Sequence, residues 1–430
     1  MTSLASSADA ESLTANAPAS RWLTWLILLA AALVAMSVTV DLAEENTFGW
    51  DVRINCAAVD AHLQGLDPYF VKNLKDTKLS YPYLPVTLDA FRPLCTGGLL
   101  VAHYKPIYLV LAVICALLLH GLGTTKRRWQ DAVLRGVIVL GGFLGFDWVV
   151  ATGNFEILSG LLTAASLALL LRPVQSDERG EVSLVPELAG AAVLGLVTAF
   201  KLVFLPILAA LYFLPQPRRR KLLLIAVAAG MFALPILISL AFYPDLSRSW
   251  LSAITGQIPG QHSPASEVNP SLLLLASTLA GQIGLAGSKL FVIGLYGLIA
   301  ITLVLAPFAV SVWRMVKRQG RAGKASLLQA LDDWLVDHPG AAMRITVLAM
   351  YALYLCTPRP KEYTFFQVAL YAAVLVVDLP AVVMVAALSV AVAIPILASA
   401  SVTAFMGGYG QLTLALICFW ILLAHEPQRT

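Results

Sequence analysis

The chain has 430 residues, of which 59% are hydrophobic and 13% charged, with a mean hydropathy of +0.80. Soluble globular proteins carry about 25% charged residues, so that class is excluded and an all-α polytopic membrane protein is expected. The formal net charge of +4 is small and the basic residues gather at the ends of apolar runs, which excludes the basic stripe of a nucleic-acid-binding surface. The six histidines show no metal-site spacing.

In chain order, residues 1–20 are rich in Ala, Ser and Thr, with acids but no basic residue, and read as a disordered cytoplasmic tail lacking the positive start of a secretory signal. Residues 22–40 form an apolar run long enough to cross about 30 Å of hydrocarbon. Arg21 precedes it and Asp41, Glu44 and Glu45 follow, so the amino terminus is expected in the cytoplasm. The polar, aromatic loop 41–93 is then external. Within it, 55–64 has helical spacing that ends at Gly65, with Asp51 just before the helix, at the membrane surface. Cys56 and Cys95 flank this loop and, in an oxidising compartment, would be able to pair, although spacing leaves their geometry open. Cys115 and Cys418 lie within apolar runs as small hydrophobes.

Run 98–119 returns to the basic cluster Lys126, Arg127 and Arg128. Residues 133–150 lead out and 155–171 lead back, joined by the turn Thr152-Gly153-Asn154. The apolar run 188–214 contains Lys201 and Pro206. A single span there would leave Arg218, Arg219, Arg220 and Lys221 outside, against the orientation rule, so two short arms meeting at Lys201 are expected. Residues 222–242 lead to a second external loop, 243–288, whose apolar piece 271–285 is too short to span and is expected to stay at the outer face as an interfacial or re-entrant piece. After run 290–312 come Arg314, Lys317, Arg318, Arg321 and Lys324, which belong inside. A short amphipathic helix is expected over 332–344. Residues 345–356 lead out to the turn that carries Arg359, Lys361 and Tyr363, and runs 365–377, 381–398 and 412–424 complete the chain. The count is twelve membrane segments in one domain, 21–430, with both termini cytoplasmic.

Several motifs now stand in order: Asp51 with Gly65, Asp67, Pro68 and Tyr69; Tyr81-Pro82-Tyr83-Leu84-Pro85; Gly153-Asn154; Lys201 ahead of a basic cluster; Asn269-Pro270-Ser271; and Thr357-Pro358-Arg359. From about residue 22 onward this pattern resembles glycosyltransferase family 87, relatives of the actinobacterial polyprenyl-phosphomannose-dependent mannosyltransferases. The resemblance implies a GT-C fold in a bacterial inner membrane, with the active site on the outer face. It also implies a polyprenyl-phosphate sugar donor, a glycolipid or glycan acceptor, and a catalytic acid in the first external loop. Asp51 best matches that position, with Asp41 as runner-up.

Such a transfer needs a carboxylate to take the acceptor proton and a cation for the departing phosphate. Inversion needs no second carboxylate. Lys201, Arg359 and Lys361 are the candidate cations, and Lys201 stands out because a lysine in an apolar hairpin is costly without a partner or water. Snorkelling to the surface is its alternative. Tyr69 and Tyr83 are candidates for a sugar face or lipid tail, with an interfacial aromatic belt as the default. Asn154 is a further candidate, although capping of the next helix, together with Glu156, is the simpler reading. Asn55 stands where the family usually carries Tyr, and Lys361, Glu362 and Tyr363 where Trp or His is common; these departures leave open whether the sugar is mannose, arabinofuranose, glucose or another hexose. No cofactor beyond the lipid-linked donor is expected, and metal dependence is left open. A transporter or flippase of lipid-linked saccharide is the alternative; it calls for paired ionisable groups within the membrane, and Asp147, Glu156, Lys201 and Asp378 are the few available.

Overall fold

The computed structural model describes residues 21–43, 49–77, 79–119, 122, 129–172, 184–258, 270–318, 327–358, 360–392 and 409–425. The expected tail, Asn269 and Arg359 lie outside the described residues. Among the described residues the chain is helical, with no strand. The order is α1 (Arg21–Ala43), α2 (Trp50–Leu63), α3 (Val86–Cys95), α4 (Leu99–Leu118), α5 (Trp129–Gly141), α6 (Gly145–Thr152), α7 (Glu156–Leu170) and α8 (Val185–Phe200). A 3-10 stretch, Leu202–Phe213, leads to α9 (Arg218–Phe242), α10 (Pro244–Ile254), α11 (Leu272–Gln282) and α12 (Lys289–Ala300). A π-helical turn, Ile301–Leu305, joins α13 (Ala306–Arg318), and then come α14 (Leu327–Asp337), α15 (Pro339–Leu355), α16 (Phe365–Val376), α17 (Ala381–Ala391) and α18 (Gly410–Ala424).

Among the described residues five segments are long and apolar enough to cross a membrane: Arg21–Ala43, Leu99–Leu118, Trp129–Thr152, Arg218–Phe242 and Lys289–Lys317. Eight further apolar helices of 10–17 residues are shorter than a full crossing. The outer helices expose apolar side chains, as Leu237 and Phe242 on α9 and Leu290 and Ile293 on α12 illustrate. A helix apolar on every face belongs either in a core or in lipid. The core is the other case: every residue of α16 is buried, and 13 of the 17 residues of α15.

Four local expectations are revised. Helix α2 begins at Trp50, five residues earlier than the spacing suggested, because Gly49 takes a left-handed conformation (φ 48°) and starts the helix there. Asp51 is therefore in the first turn and not ahead of it. The helix is packed, burying Val52, Asn55, Cys56, Ala58 and Val59, while Leu63 is exposed. A disulfide between Cys56 and Cys95 joins α2 to α3.

The expected run 133–150 is interrupted, since Phe143 and Leu144 have φ of 53° and 55°. The break seats Gly145 against α16 so closely that a Cβ there would lie 2.2 Å from the Phe366 nitrogen. The run 188–214 does break at Lys201, whose backbone is extended, but its second arm is wound as a 3-10 helix with Pro206 inside it. The segment 332–344 is not one amphipathic helix; α14 ends at Asp337, and Pro339 starts α15, where a missing N–H costs nothing.

Candidate functional site

The site is assembled where α2 meets the turn between α6 and α7. The backbone N–H of Gly49 donates to the carbonyl of Ala151 (3.0 Å), which fixes the start of α2 beside the end of α6. Helix α6 stops at Gly153, in the left-handed region at φ 68°. A Cβ at that glycine would come within 2.8 Å of Val52 Cγ1, so only glycine permits α2 to approach this closely. The phenol of Tyr108 on α4 donates to the Gly153 carbonyl at 3.0 Å and holds the turn from behind.

The next residue, Asn154, faces both ways. Its Nδ2 donates to Asp51 Oδ2 at 2.6 Å, while its Oδ1 accepts from the backbone N–H of Glu156 at 2.8 Å. Capping and contact with Asp51 are thus performed by one buried amide, and the two readings of this residue are not exclusive. Burial raises the pKa of Asp51, against the opposing pull of the Asn154 hydrogen bond and then of the Lys361 and Lys201 ammonium groups. Both lysines therefore lie within electrostatic reach of this carboxyl.

Lys201 does not snorkel. Its Nζ pairs with Glu156 Oε2 at 2.5 Å, with Glu156 almost fully buried at 2% exposure. The ammonium also lies 4.4 Å from the Tyr363 ring centroid and 5.9 Å from that of Phe204. Lys361 precedes the short 3-10 turn Glu362–Thr364, and its carbonyl accepts from Thr364 N (2.9 Å) and Thr364 Oγ1 (2.5 Å). Beside the pair is a cavity of about 10 Å³ lined by Glu156, Ser159, Thr198, Lys201, Phe204, Gln367, Tyr354 and Tyr371, among others.

The other sequence candidates fall in different places. Asn55, one turn along α2 from Asp51, is 2% exposed, and its Nδ2 has no hydrogen-bond partner. Tyr83 is buried against Phe91 and Phe200, and its pKa is raised by burial and then by the Asp51 and Glu156 charges, so it stands near both carboxylates. Tyr69 is fully buried and its phenol donates to the Tyr83 carbonyl at 2.7 Å, so it braces the loop and presents no surface to a ligand. The runner-up acid, Asp41, is partly buried in the last turn of α1, where its carbonyl accepts from Lys105 Nζ at 2.5 Å. Asp51, Asn154, Lys201, Lys361 and Tyr83 are brought together; Tyr69 and Asp41 are not. Among the described residues no cluster of three or more His, Cys, Asp or Glu could hold a metal.

Two participants were overlooked as partners in the sequence. Glu156 is the counter-ion of Lys201 across 45 residues, and Tyr363 covers the same ammonium. The signal for Glu156 was present: an intramembrane lysine calls for an acid, and few acids border apolar runs. Nothing local marks Tyr363.

The model of glycosyltransferase family 87 matches residues 81–336, more than half of the chain. The matched stretch contains Tyr83, Asn154, Glu156 and Lys201, and begins after Asp51 and ends before Lys361. No curated protein and no solved structure matches the chain.

Proposed function

The chain belongs to glycosyltransferase family 87, and on that premise we propose that it transfers a sugar from a polyprenyl-phosphate donor to a hydroxyl of a lipid-linked or glycan acceptor, with Asp51 as general base. The observation that carries this reading is the Asp51 carboxyl itself, gripped by Asn154 at 2.6 Å and facing the charges of Lys361 and Lys201. A carboxyl whose proton affinity is raised by burial is a better base near neutral pH than one in water.

In this mechanism Asp51 takes the proton of the acceptor hydroxyl as its oxygen attacks the anomeric carbon. The bond from that carbon to the phosphate oxygen breaks, its electron pair leaves with the lipid phosphate, and configuration inverts. Lys361, with Arg359 two residues before it in the sequence, receives the developing phosphate charge. Asn55, on the face of α2 that carries Asp51 and with a buried amide N–H still to be satisfied, is assigned to a sugar hydroxyl. Tyr83 forms part of the wall. We place the reaction at the outer face of a bacterial inner membrane, in a single GT-C domain over 21–430 with twelve membrane segments and cytoplasmic termini; the five long apolar helices and the basic clusters support this arrangement.

The buried Glu156–Lys201 pair is also the kind of group that a carrier of lipid-linked saccharide would use, which keeps that second reading in play. One experiment addresses both. The purified protein in nanodiscs is given a radiolabelled polyprenyl-phosphate sugar and an acceptor glycolipid, and transfer is compared with that of Asp51→Asn. Loss of about 10²–10⁴-fold in rate is expected. Equal activity would overturn the assignment of the base, and transbilayer movement of intact donor with no cleavage would favour the carrier.

A further inference from the structure

Glu156 and Lys201 sit beside the candidate base without an obvious way to reach a substrate. The Lys201 ammonium is engaged by Glu156 at 2.5 Å and covered by the Tyr363 ring at 4.4 Å. The adjoining cavity of about 10 Å³ has room for the centre of about one water molecule, far too little for a phosphate or a sugar ring. Gln367, 2% exposed and lining that cavity, leaves its Oε1 without a partner, which a single water would satisfy.

The connections run elsewhere. Glu156 donates its backbone N–H to Asn154, and Asn154 holds Asp51. Through Lys201 the same glutamate reaches Tyr363, two residues from Lys361, in a turn tied down by Thr364 and by the Tyr354 phenol, which donates to the Thr364 carbonyl at 2.9 Å. A buried ion pair is weak evidence for stability, because well-packed apolar residues often serve as well or better. Its placement between the base and the cation-bearing turn supplies another reason for it.

We propose that Glu156 and Lys201 are positioning residues: the pair holds the Asn154–Asp51 contact and the Lys361 turn in one frame and balances the field at Asp51, and neither side chain touches the sugar. This rests on the reading of Asp51 as base. The charged groups facing Asp51 are Lys361 from the late turn and Lys201 from the helix break, and Glu156 from α7 is paired with Lys201. The phenols of Tyr83 and Tyr108 face Asp51 too, and its own helix carries Arg53, Asp60 and His62 further along.

The test is kcat and donor KM against pH for the parent, Glu156→Gln, Lys201→Met and Lys201→Arg in nanodiscs. Both neutral variants are expected to lose about tenfold or more in kcat through misplacement, with donor KM within about threefold of the parent. Their acid limbs move in opposite directions. Glu156→Gln leaves Lys201 uncompensated and shifts the limb to lower pH, whereas Lys201→Met removes a cation that faces Asp51 and shifts it to higher pH. Lys201→Arg, which keeps the charge, retains the parent limb and recovers most of the rate. A donor KM raised about tenfold or more in Lys201→Met and Lys201→Arg alike would identify a phosphate contact and overturn the proposal, as would limbs that stay still. If a single variant is not recovered folded, the doubly neutral Glu156→Gln/Lys201→Met protein carries the test: lowered kcat with unchanged KM supports positioning, and raised KM overturns it. Asp51→Asn separates the two readings. An acid limb that survives in Asp51→Asn sinks the base, whereas a limb that vanishes there but stays fixed in both pair variants sinks only the role of the pair.

Discussion

Two lysine–carboxylate pairs flank the 3-10 stretch Leu202–Phe213, one at Lys201 just before it and one at Lys221 in the first turn of α9 after it, and their surroundings differ. At the end near Asp51, Lys201 is 21% exposed, borders a water-sized cavity and meets Glu156 through one oxygen. At the other end Lys221 is completely buried and donates to Asp332 Oδ1 at 2.8 Å, while the Tyr212 phenol donates to Asp332 Oδ2 at 3.1 Å and its ring lies 5.1 Å from the ammonium. Both oxygens of the second carboxylate are satisfied by side chains, and the pair joins α9 to α14 with no link to the site. The first pair has a backbone connection to the residue that grips the candidate base. The same charges in the same type of contact therefore form a sealed clamp at one end and, in our reading, a positioning device at the other.

The comparison can be broken first at the sealed end. Lys221→Met leaves Asp332 buried without its counter-ion and is expected to cost about 3–5 kcal/mol, read as a lower midpoint in thermal unfolding followed by tryptophan fluorescence. The folded fraction should keep the parent kcat and KM. A changed pH–rate profile in that variant would mean that the two ends are not functionally distinct. Restoring balance with Lys221→Met/Asp332→Leu should recover most of the stability, since an apolar replacement of a buried pair is often neutral or better.

Gly153→Ala comes next. The left-handed backbone costs a β-carbon about 1–2 kcal/mol, and its methyl would press on Val52 Cγ1 at 2.8 Å. The expected result is a modest loss of stability with a larger fall in kcat, because the displaced residue is the neighbour of Asn154. A loss of stability alone would detach the turn from the site.

Asp51→Asn sharpens the contrast through pH. Burial raises the pKa of Asp51 in the folded chain above its unfolded value. Its contribution to stability is thus fully present below about pH 3.9 and is lost as pH rises through the folded pKa. At neutral pH the asparagine variant, with no charge to bury, should unfold no earlier than the parent while transferring little sugar. The smallest effect belongs to Tyr69→Phe, which removes one buried hydrogen bond worth about 0.5–1.5 kcal/mol. Unchanged kinetics would fix Tyr69 as a brace; a raised donor KM would return it to the site.

What could be read from the residues was whatever the lipid environment dictates locally. The apolar runs at 22–40, 98–119 and 222–242 correspond to α1, α4 and α9, because length and hydropathy suffice to define a crossing. The break at Lys201 was legible for a less direct reason: the basic residues after it could be returned to the cytoplasm only if the run was divided. Asp51, Asn154 and the lysines were picked out individually, but not the contacts among them. Pairing of Glu156 with Lys201, or of Lys221 with Asp332 across 111 residues, depends on helix packing that no local pattern encodes. Lys221 in particular read only as one of four basic residues that fix orientation. The burial of Tyr69 was hidden because a tyrosine in an external loop has the same local signature whether it braces the loop or faces the membrane surface. The disulfide was visible as an option, and only the packing of α2 on α3 brings Cys56 to Cys95.

The winding of Leu202–Phe213 has a consequence for reach. A 3-10 helix rises about 2.0 Å per residue and an α-helix about 1.5 Å. The 12 residues of this stretch therefore extend about 24 Å, where an α-helix would extend about 18 Å. The tighter coil serves as a spacer that covers more distance per residue than an α-helix. Rewound as α, it would fall short by about 6 Å, roughly one helical turn.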